Sequence, residues 1–498
     1  MKVRLCQTPR PMKSSSAATR LTRASLGGDR RGEAVSGEAI FRARRLSRGA
    51  ALDHRRETML GARTHGPFPL QRKLPRGQLY LPDLRRIGLA LVASLAAPSR
   101  GPRVDALEAR FAAALESRHA VLLSHARVAL LAILRALDLP PGSEVLMTPV
   151  TIPDVVNAVL VAGLRPVFVD LAERTCNVDP VALAARVTPA SRVILVTHLS
   201  GLASPMDEIL RIAKDHGLVI LEDGSQAMGT RHGGKMLGTF GKAGFYSLST
   251  LKPVASFHGG LAITDDAALA AALRDAARAM PLPSRSWLFK MFARDAILHA
   301  ASHPLPFSLA GYYGMAALER LAPAIVDELQ RGNLVYDGAR RAARVKRKTE
   351  LAASFFTAYT EAQAVIAEGC LDALDPGNHR RGELVARLHG QLAAASVPGL
   401  VRTDPLGSPT FWRYPIWTAD PEALRASLRR RGIDAARTNL CCASREPAFA
   451  EYAAHTPNAV AFVDGMVFLP LHPNLDAADM DHLASAVIDH FRGAQENG

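Results

Sequence analysis

From about Asp105 onward the apolar positions fall into two alternating rhythms. Asp105–Leu115 and Val128–Leu137 carry Ala and Leu at helical spacing, which predicts two helices. Short apolar runs then alternate with helical stretches. Val145–Met147, Pro166–Asp170, Val193–Thr197 and Leu218–Leu221 read as strands, and the last of these ends on Glu222-Asp223. Val155–Ala162, Pro180–Arg186 and Met206–His216 read as the helices between them. Gly244–Ser249 and Leu261–Thr264 follow as further strands. Several of these strands are apolar at every position, which suits a sheet covered on both faces. The expected class is therefore α/β, with a large α/β/α domain around a mostly parallel sheet. Ligands in such sheets sit at the carboxyl ends of the strands. Asp223 lies at such an end, and glycines 224, 229, 233, 234, 238 and 241 crowd the loops after it.

Two further regions break the rhythm. Residues 280–348 interleave Trp287, Phe289, Phe292, Phe307, Tyr312 and Tyr313 with Pro, Lys and Arg, and read as a helical insertion. It is either a cover packed on the large domain or a lid that meets a lipid or polymer-linked substrate. The run Arg340–Lys348 reads as a solvated helix face or loop. Ordinary α/β character then returns. Phe411–Thr418 and Met466–Leu469 are strand candidates, Pro421–Gly432 is a helix with a glycine stop, and Asp476–Phe491 is a closing helix. The resulting division is a basic tail (1–75), a large domain (76–279), the insertion (280–348) and a smaller C-terminal α+β domain (349–498).

Charge changes the picture only at the amino end. The net charge of +15 suggests a nucleic-acid or membrane partner at first sight. Met1–Lys73 carry 17 Lys/Arg against 5 Asp/Glu, so the rest of the chain is close to neutral. The tail reads as disordered. A flexible arm, a targeting peptide and an upstream start before a true initiator at Met59 all stay open. No nucleic-acid partner is expected. Five cysteines without a C-x-x-C pair suit a reducing compartment and argue against a disulfide framework or a metal site. The longest apolar stretches, such as Ile87–Ala97, are too short to span a bilayer. The body reads as cytoplasmic, with no transmembrane segment.

The chemistry concentrates in LVILEDGSQAMGT (218–230) and AGFYSLSTLKPVASFHGG (243–260). A pyridoxal 5'-phosphate (PLP) enzyme needs an amine to anchor the cofactor, a carboxylate for its ring nitrogen, donors for its phosphate and a group that fixes the ring. These two stretches can supply most of them. They resemble the core motif of the DegT/StrS sugar aminotransferases, which are fold-type I PLP enzymes. That motif is an acidic strand end, E-D-x-x-Q-x-x-G, followed by a strand whose Ser precedes a Lys by five residues and a G-G turn. Here those positions are Glu222-Asp223, Gln226, Gly229, Ser247, Lys252 and Gly259-Gly260. PGSEVLMTP (141–149), RPVFVDL (165–171), VTPASRVILVTHLSGLASPMDEI (187–209) and FLPLHPNLDAADM (468–480) resemble other family blocks in the same order.

The resemblance implies roles. Lys252 would anchor the cofactor as a Schiff base and then serve as general base and acid. Asp223 would pair with the ring nitrogen, Gln226 would contact the ring or its phenolic oxygen, and Ser247 would donate to the phosphate. His198 would be structural or would support a residue that touches the cofactor. The family's S-G-T phosphate cradle reads His125-Ala126-Arg127 here, so Ala126 and Arg127 become cofactor candidates, with Arg127 as a possible fork donor. Ile152 stands where the family commonly has an aromatic, and His258 where it has an acid. Phe356 and Ala358 stand where it has an Asn and an Arg that cross to a second subunit. The implied activity is transamination from an amino acid, glutamate by analogy, to a keto sugar, nucleotide-linked, in polysaccharide or secondary-metabolite biosynthesis by a homodimer. A PLP reaction on a non-sugar substrate, and a non-catalytic ligand-binding homologue, stay open. No G-x-G-x-x-G follows an early strand, which argues against a dinucleotide enzyme.

Overall fold

The structure, a computed structural model, describes residues 72–77, 84–95, 98–321, 345–403, 407–438 and 440–496. The basic tail up to residue 71 and most of Arg340–Lys348 lie outside the described residues. Seven strands form the main sheet: β1 (His119–Leu123), β2 (Glu144–Met147), β3 (Arg165–Phe168), β4 (Ser191–Thr197), β5 (Val219–Asp223), β6 (Ala243–Ser247) and β7 (Gly260–Thr264). Their spatial order is β1-β7-β6-β5-β4-β2-β3. The pairs from β3 across to β6 are parallel, and β7 runs antiparallel to both β6 and β1.

Parallel neighbours need crossovers, and helices supply them. The elements are α1 (Leu84–Leu95), α2 (Pro102–Ala114), α3 (Ala126–Ala136), α4 (Pro153–Val161), α5 (Met206–His216) and α6 (Ala267–Arg278). Successive strand residues face opposite sides of the sheet. Val145, Met147, Val193, Leu195, Leu221 and Phe245 pack under Val128 and Leu131 of α3 and Val155 of α4. Leu146, Ile194, Val196 and Ile220 meet Met206, Ile209 and Ile212 of α5 on the other side. Both faces are thus covered, which is why these strands are apolar throughout. The α/β class and the mostly parallel sheet match the sequence reading.

The expected insertion is mostly helical between Arg285 and Leu321, whereas its described ends, 280–284 and 345–348, carry no helix. It contains α7 (Arg285–Ser302) and α8 (Tyr312–Leu321), joined by a tight segment from Pro304 to Gly311. After it come α9 (Glu361–Asp372) and α10 (Leu374–Ala394). Thr360 and Gln363 close a capping box at the start of α9. The apolar side chains Ala362, Ile366 and Cys370 of α9 pack with Val104, Leu107 and Phe111 of α2, so this helix joins the core of the large sheet. The C-terminal lobe has its own antiparallel sheet of β8 (Tyr414–Trp417), β9 (Ala436–Arg437) and β10 (Met466–Leu469), in the order β8-β10-β9. α10, α11 (Pro421–Arg430) and α12 (Ala477–Glu496) contribute Leu388, Leu424 and Leu483 to its core.

Several boundaries differ from the sequence reading. The strand expected over Phe411–Thr418 covers only Tyr414–Trp417, because Phe411 sits at φ +42° and turns the chain. The strand expected to end at Ser249 ends at Ser247. β1 and α1 were not expected. Leu74, assigned by sequence to the tail, is buried in the C-terminal core and exchanges backbone hydrogen bonds with Gly432 and Asp434.

Candidate active site

β5 delivers two carboxylates with different fates. Consecutive strand residues point to opposite faces. Glu222 is fully buried among donors. It accepts from the backbone N–H groups of Gly238 (2.7 Å), Phe240 (2.7 Å) and Gly241 (2.9 Å), and lies 3.2 Å from His198 Nε2. His198 Nδ1 accepts from Ser204 N at 3.2 Å, so the proton sits on Nε2 and is donated to Glu222. His198 therefore braces the strand end without lining the cavity. Asp223 faces a cavity of about 350 Å³, within the usual range for small-molecule sites. Its Oδ1 accepts from Ser225 N at 2.9 Å, and burial pushes its carboxyl above the usual range.

Lys252 projects into the same cavity from the loop between β6 and β7. Its Nζ lies 4.0 Å from the centroid of the Trp412 ring, a cation–π contact. Trp412 Nε1 donates to Leu251 O at 2.8 Å, which fixes the ring beside the lysine. Burial pushes the Lys252 ammonium down to about 7; Asp223 pulls it upward and the Arg413 guanidinium pushes it further down. A buried lysine that is half neutral near neutral pH is a competent nucleophile and proton carrier.

The cavity gathers all six candidate residues. Gln226 lines it, and its Oε1 accepts from Ser200 N at 2.7 Å, which fixes the amide. Ser247 and Ser249 line it with their hydroxyls 3.1 Å apart. Ala126 and Arg127 line it at the start of α3, whose N-cap His125 makes no side-chain cap. The helix start therefore presents backbone N–H groups to the cavity. Arg127 is engaged elsewhere. Its guanidinium pairs with Asp154 and lies 4.6 Å over the Phe355 ring. Burial would push Asp154 up, but Arg127 and Lys348 outweigh it and hold the carboxyl below its ordinary value. Ile152 lines the cavity as a plain aliphatic wall, whereas the cavity wall is completed by Phe355 and not by Phe356 or Ala358.

The donor set fits an anionic aromatic ligand that reacts with an amine. Two atoms support this directly. Thr197 Oγ1 and His125 Nδ1 belong to cavity-lining residues, are buried and have no hydrogen-bond partner. Buried polar atoms without partners are uncommon, and a bound ligand or a water can complete their bonding.

Residues 90–285 and 329–488 match the DegT/DnrJ/EryC1/StrS aminotransferase family, well over half of the chain. The chain belongs to this family. It is an aminotransferase of the sugar-modifying kind, and the family as a whole is PLP-dependent. The spore coat polysaccharide biosynthesis protein SpsC of Bacillus subtilis is 28% identical over 407 residues, covering 80% of this chain and 91% of SpsC. The structure of S. venezuelae DesV, in complex with a ketimine intermediate, is 26% identical with a TM-score of 0.63, and covers 84% of this chain and 98% of DesV. DesI, solved in the presence of its TDP-sugar product, shares the fold at 22% identity and a TM-score of 0.62, over 87% of this chain and 96% of DesI.

Membership of the DegT/DnrJ/EryC1/StrS family accounts for the shared motif but not for every wall of the site. Trp412, His125 and His258 line the cavity and were not expected from sequence as contact residues. His125 and His258 lie 5.2 Å apart between ring centroids, and burial pushes them down to about 3 and about 4. Both are therefore neutral imidazoles at neutral pH. The one available signal was the departure of His125 and His258 from the family pattern.

Proposed function

We propose that this chain transfers an amino group from an amino acid, glutamate by class, to the ketone of a nucleotide-linked sugar, with PLP anchored on Lys252. The observation that carries the reading is the placement of Lys252 and Asp223 in one buried cavity at the carboxyl ends of β5 and β6. When bound, PLP supplies an electron sink that stabilises negative charge on the carbon whose proton is moved. The chain's own residues do the rest. Lys252 Nζ would hold the cofactor and carry the proton. The Asp223 carboxylate would pair with the ring nitrogen. Gln226, with its amide fixed by Ser200, would contact the ring. Ser247 and the N–H groups at the start of α3 would donate to the phosphate.

The sugar substrate is supported by SpsC, whose name places it in polysaccharide biosynthesis, and by the TDP-sugar product of DesI. A homodimer completes the proposal. The test is direct. Protein incubated with PLP and reduced with borohydride should yield a pyridoxyl group on the peptide containing Lys252. In a separate, unreduced sample, glutamate should release 2-oxoglutarate in a half-reaction, and a keto-sugar nucleotide should restore the starting form. An adduct elsewhere sinks the lysine assignment, and no 2-oxoglutarate sinks the donor. Sedimentation of the purified protein tests the dimer.

A further inference from the structure

The family match leaves out residues 286–328, which hold nearly all of α7. Yet α7 grips the loop that carries Lys252. Trp287 faces His258 with ring centroids 5.8 Å apart, and Met291 Sδ lies 3.2 Å from His258 Nε2. Phe292 packs on Phe257 at 4.2 Å between centroids. Asp295 Oδ2 accepts from Thr250 Oγ1 at 2.7 Å. Trp287, Met291 and Asp295 recur every four residues, so one stripe of the helix makes these contacts.

Asp295 is the unusual member. It is fully buried, and its other oxygen accepts from Arg294 Nε at 2.7 Å. Burying a carboxylate costs free energy that an apolar residue of the same size would not. Its partner Thr250 precedes Lys252 by two residues. The Thr250 hydroxyl also lies 3.2 Å from Phe257 O, and Phe257 sits at φ +67°, a conformation that bulky residues rarely adopt. One hydroxyl, oriented by one buried carboxylate and 3.2 Å from Phe257 O, thus lies where the two arms of the loop on either side of Lys252 meet.

We propose that Asp295 is a positioning residue for Lys252: by holding the Thr250 hydroxyl it sets the direction in which the loop presents Nζ to the cavity. This rests on Lys252 being the cofactor anchor. It assigns the inserted helix a task in the reaction, beyond covering the large domain.

The experiment uses full-length holoenzyme and the glutamate half-reaction. Thr250→Val removes only the hydroxyl and keeps the shape. It and Asp295→Ala should each lower kcat about tenfold, with KM for glutamate changed less than about threefold. The double variant should be no slower than the slower single one, because both remove the same bond. Asp295→Asn keeps an acceptor oxygen and should recover most of kcat. Ile297→Ser, on the exposed face of α7, should leave kcat unchanged and reports on general damage to the helix. An unchanged kcat in Thr250→Val, or fully additive losses in the double variant, overturns the role of Asp295. Borohydride mapping of the wild type separates the two levels: without a pyridoxyl group on Lys252, it is the functional reading beneath that fails.

Discussion

At the scale of single residues, the lysine is the most readable and the most consequential. Its separation of five from Ser247 marked it in the sequence, and its burial explains its chemistry. In the proposed function the neutral amine would be the nucleophile that captures the cofactor. Because burial brings Lys252 down to about 7, the neutral fraction should grow tenfold per pH unit below that midpoint and level off above it. The rate of PLP capture, trapped with borohydride at each pH, should follow this curve. Replacing Arg413 by Gln removes a positive neighbour and should move the midpoint upward. A wild-type midpoint near that of an ordinary lysine would refute the argument. Trp412 illustrates what the sequence withheld at this scale. It meets Lys252 only because the C-terminal lobe folds back over the cavity, and no local pattern records a contact across 160 residues. Arg127, a phosphate candidate by its place in the motif, lines the cavity while its guanidinium pairs with Asp154.

Elements were legible where packing on both faces enforces a period. Met206–His216 and Met466–Leu469 have the expected boundaries, because each sits between a proline and a glycine stop and buries a clear apolar set. β1 was missed because it follows α2 after four residues and its HAVLL run continues the helical Ala-Leu pattern. The strand end at Glu222-Asp223 gives the next prediction. Glu222 serves the frame and Asp223 the cavity, so their amide variants should separate. Glu222→Gln sets an amide N–H₂ among backbone donors and should cost about 3 kcal/mol of stability, read by chemical unfolding. Asp223→Asn should unfold nearly like wild type and yet lose most of the half-reaction. If both variants lose only stability, the division between the two faces of β5 is wrong. Gly260 makes a similar point for β7. A Cβ there would overlap the backbone of His125 and Ala126, which hold the start of α3. Gly260→Ala should therefore weaken PLP binding about tenfold, by equilibrium titration, through displacement of that helix start.

At the scale of the whole molecule, the net charge is concentrated at the amino end of the chain. Twelve of the fifteen net positive charges lie in Met1–Lys73, whereas every described cavity residue lies between His125 and Leu440. Among the described residues no helix is long and apolar enough to cross a membrane. The described structure nevertheless begins a few residues earlier than charge alone suggested. Leu74 is buried, and Arg76 makes a bidentate pair with Asp434, both bonds at 2.7 Å and both side chains buried. This segment closes the edge beside α11. A chain that begins at Leu70 should therefore keep wild-type kcat and unfolding midpoint, and should lose any retention on an anionic column that the full chain shows. A chain that begins at Gln78 removes Leu74 and leaves Asp434 buried without its guanidinium. It should lose about 3 kcal/mol or more, since an unpaired buried charge and an emptied core position are both costly. Equal stability of the two truncations would show that residues 72–77 rest on the lobe without supporting it. A loss of activity already in the chain that begins at Leu70 would instead tie the basic segment to catalysis.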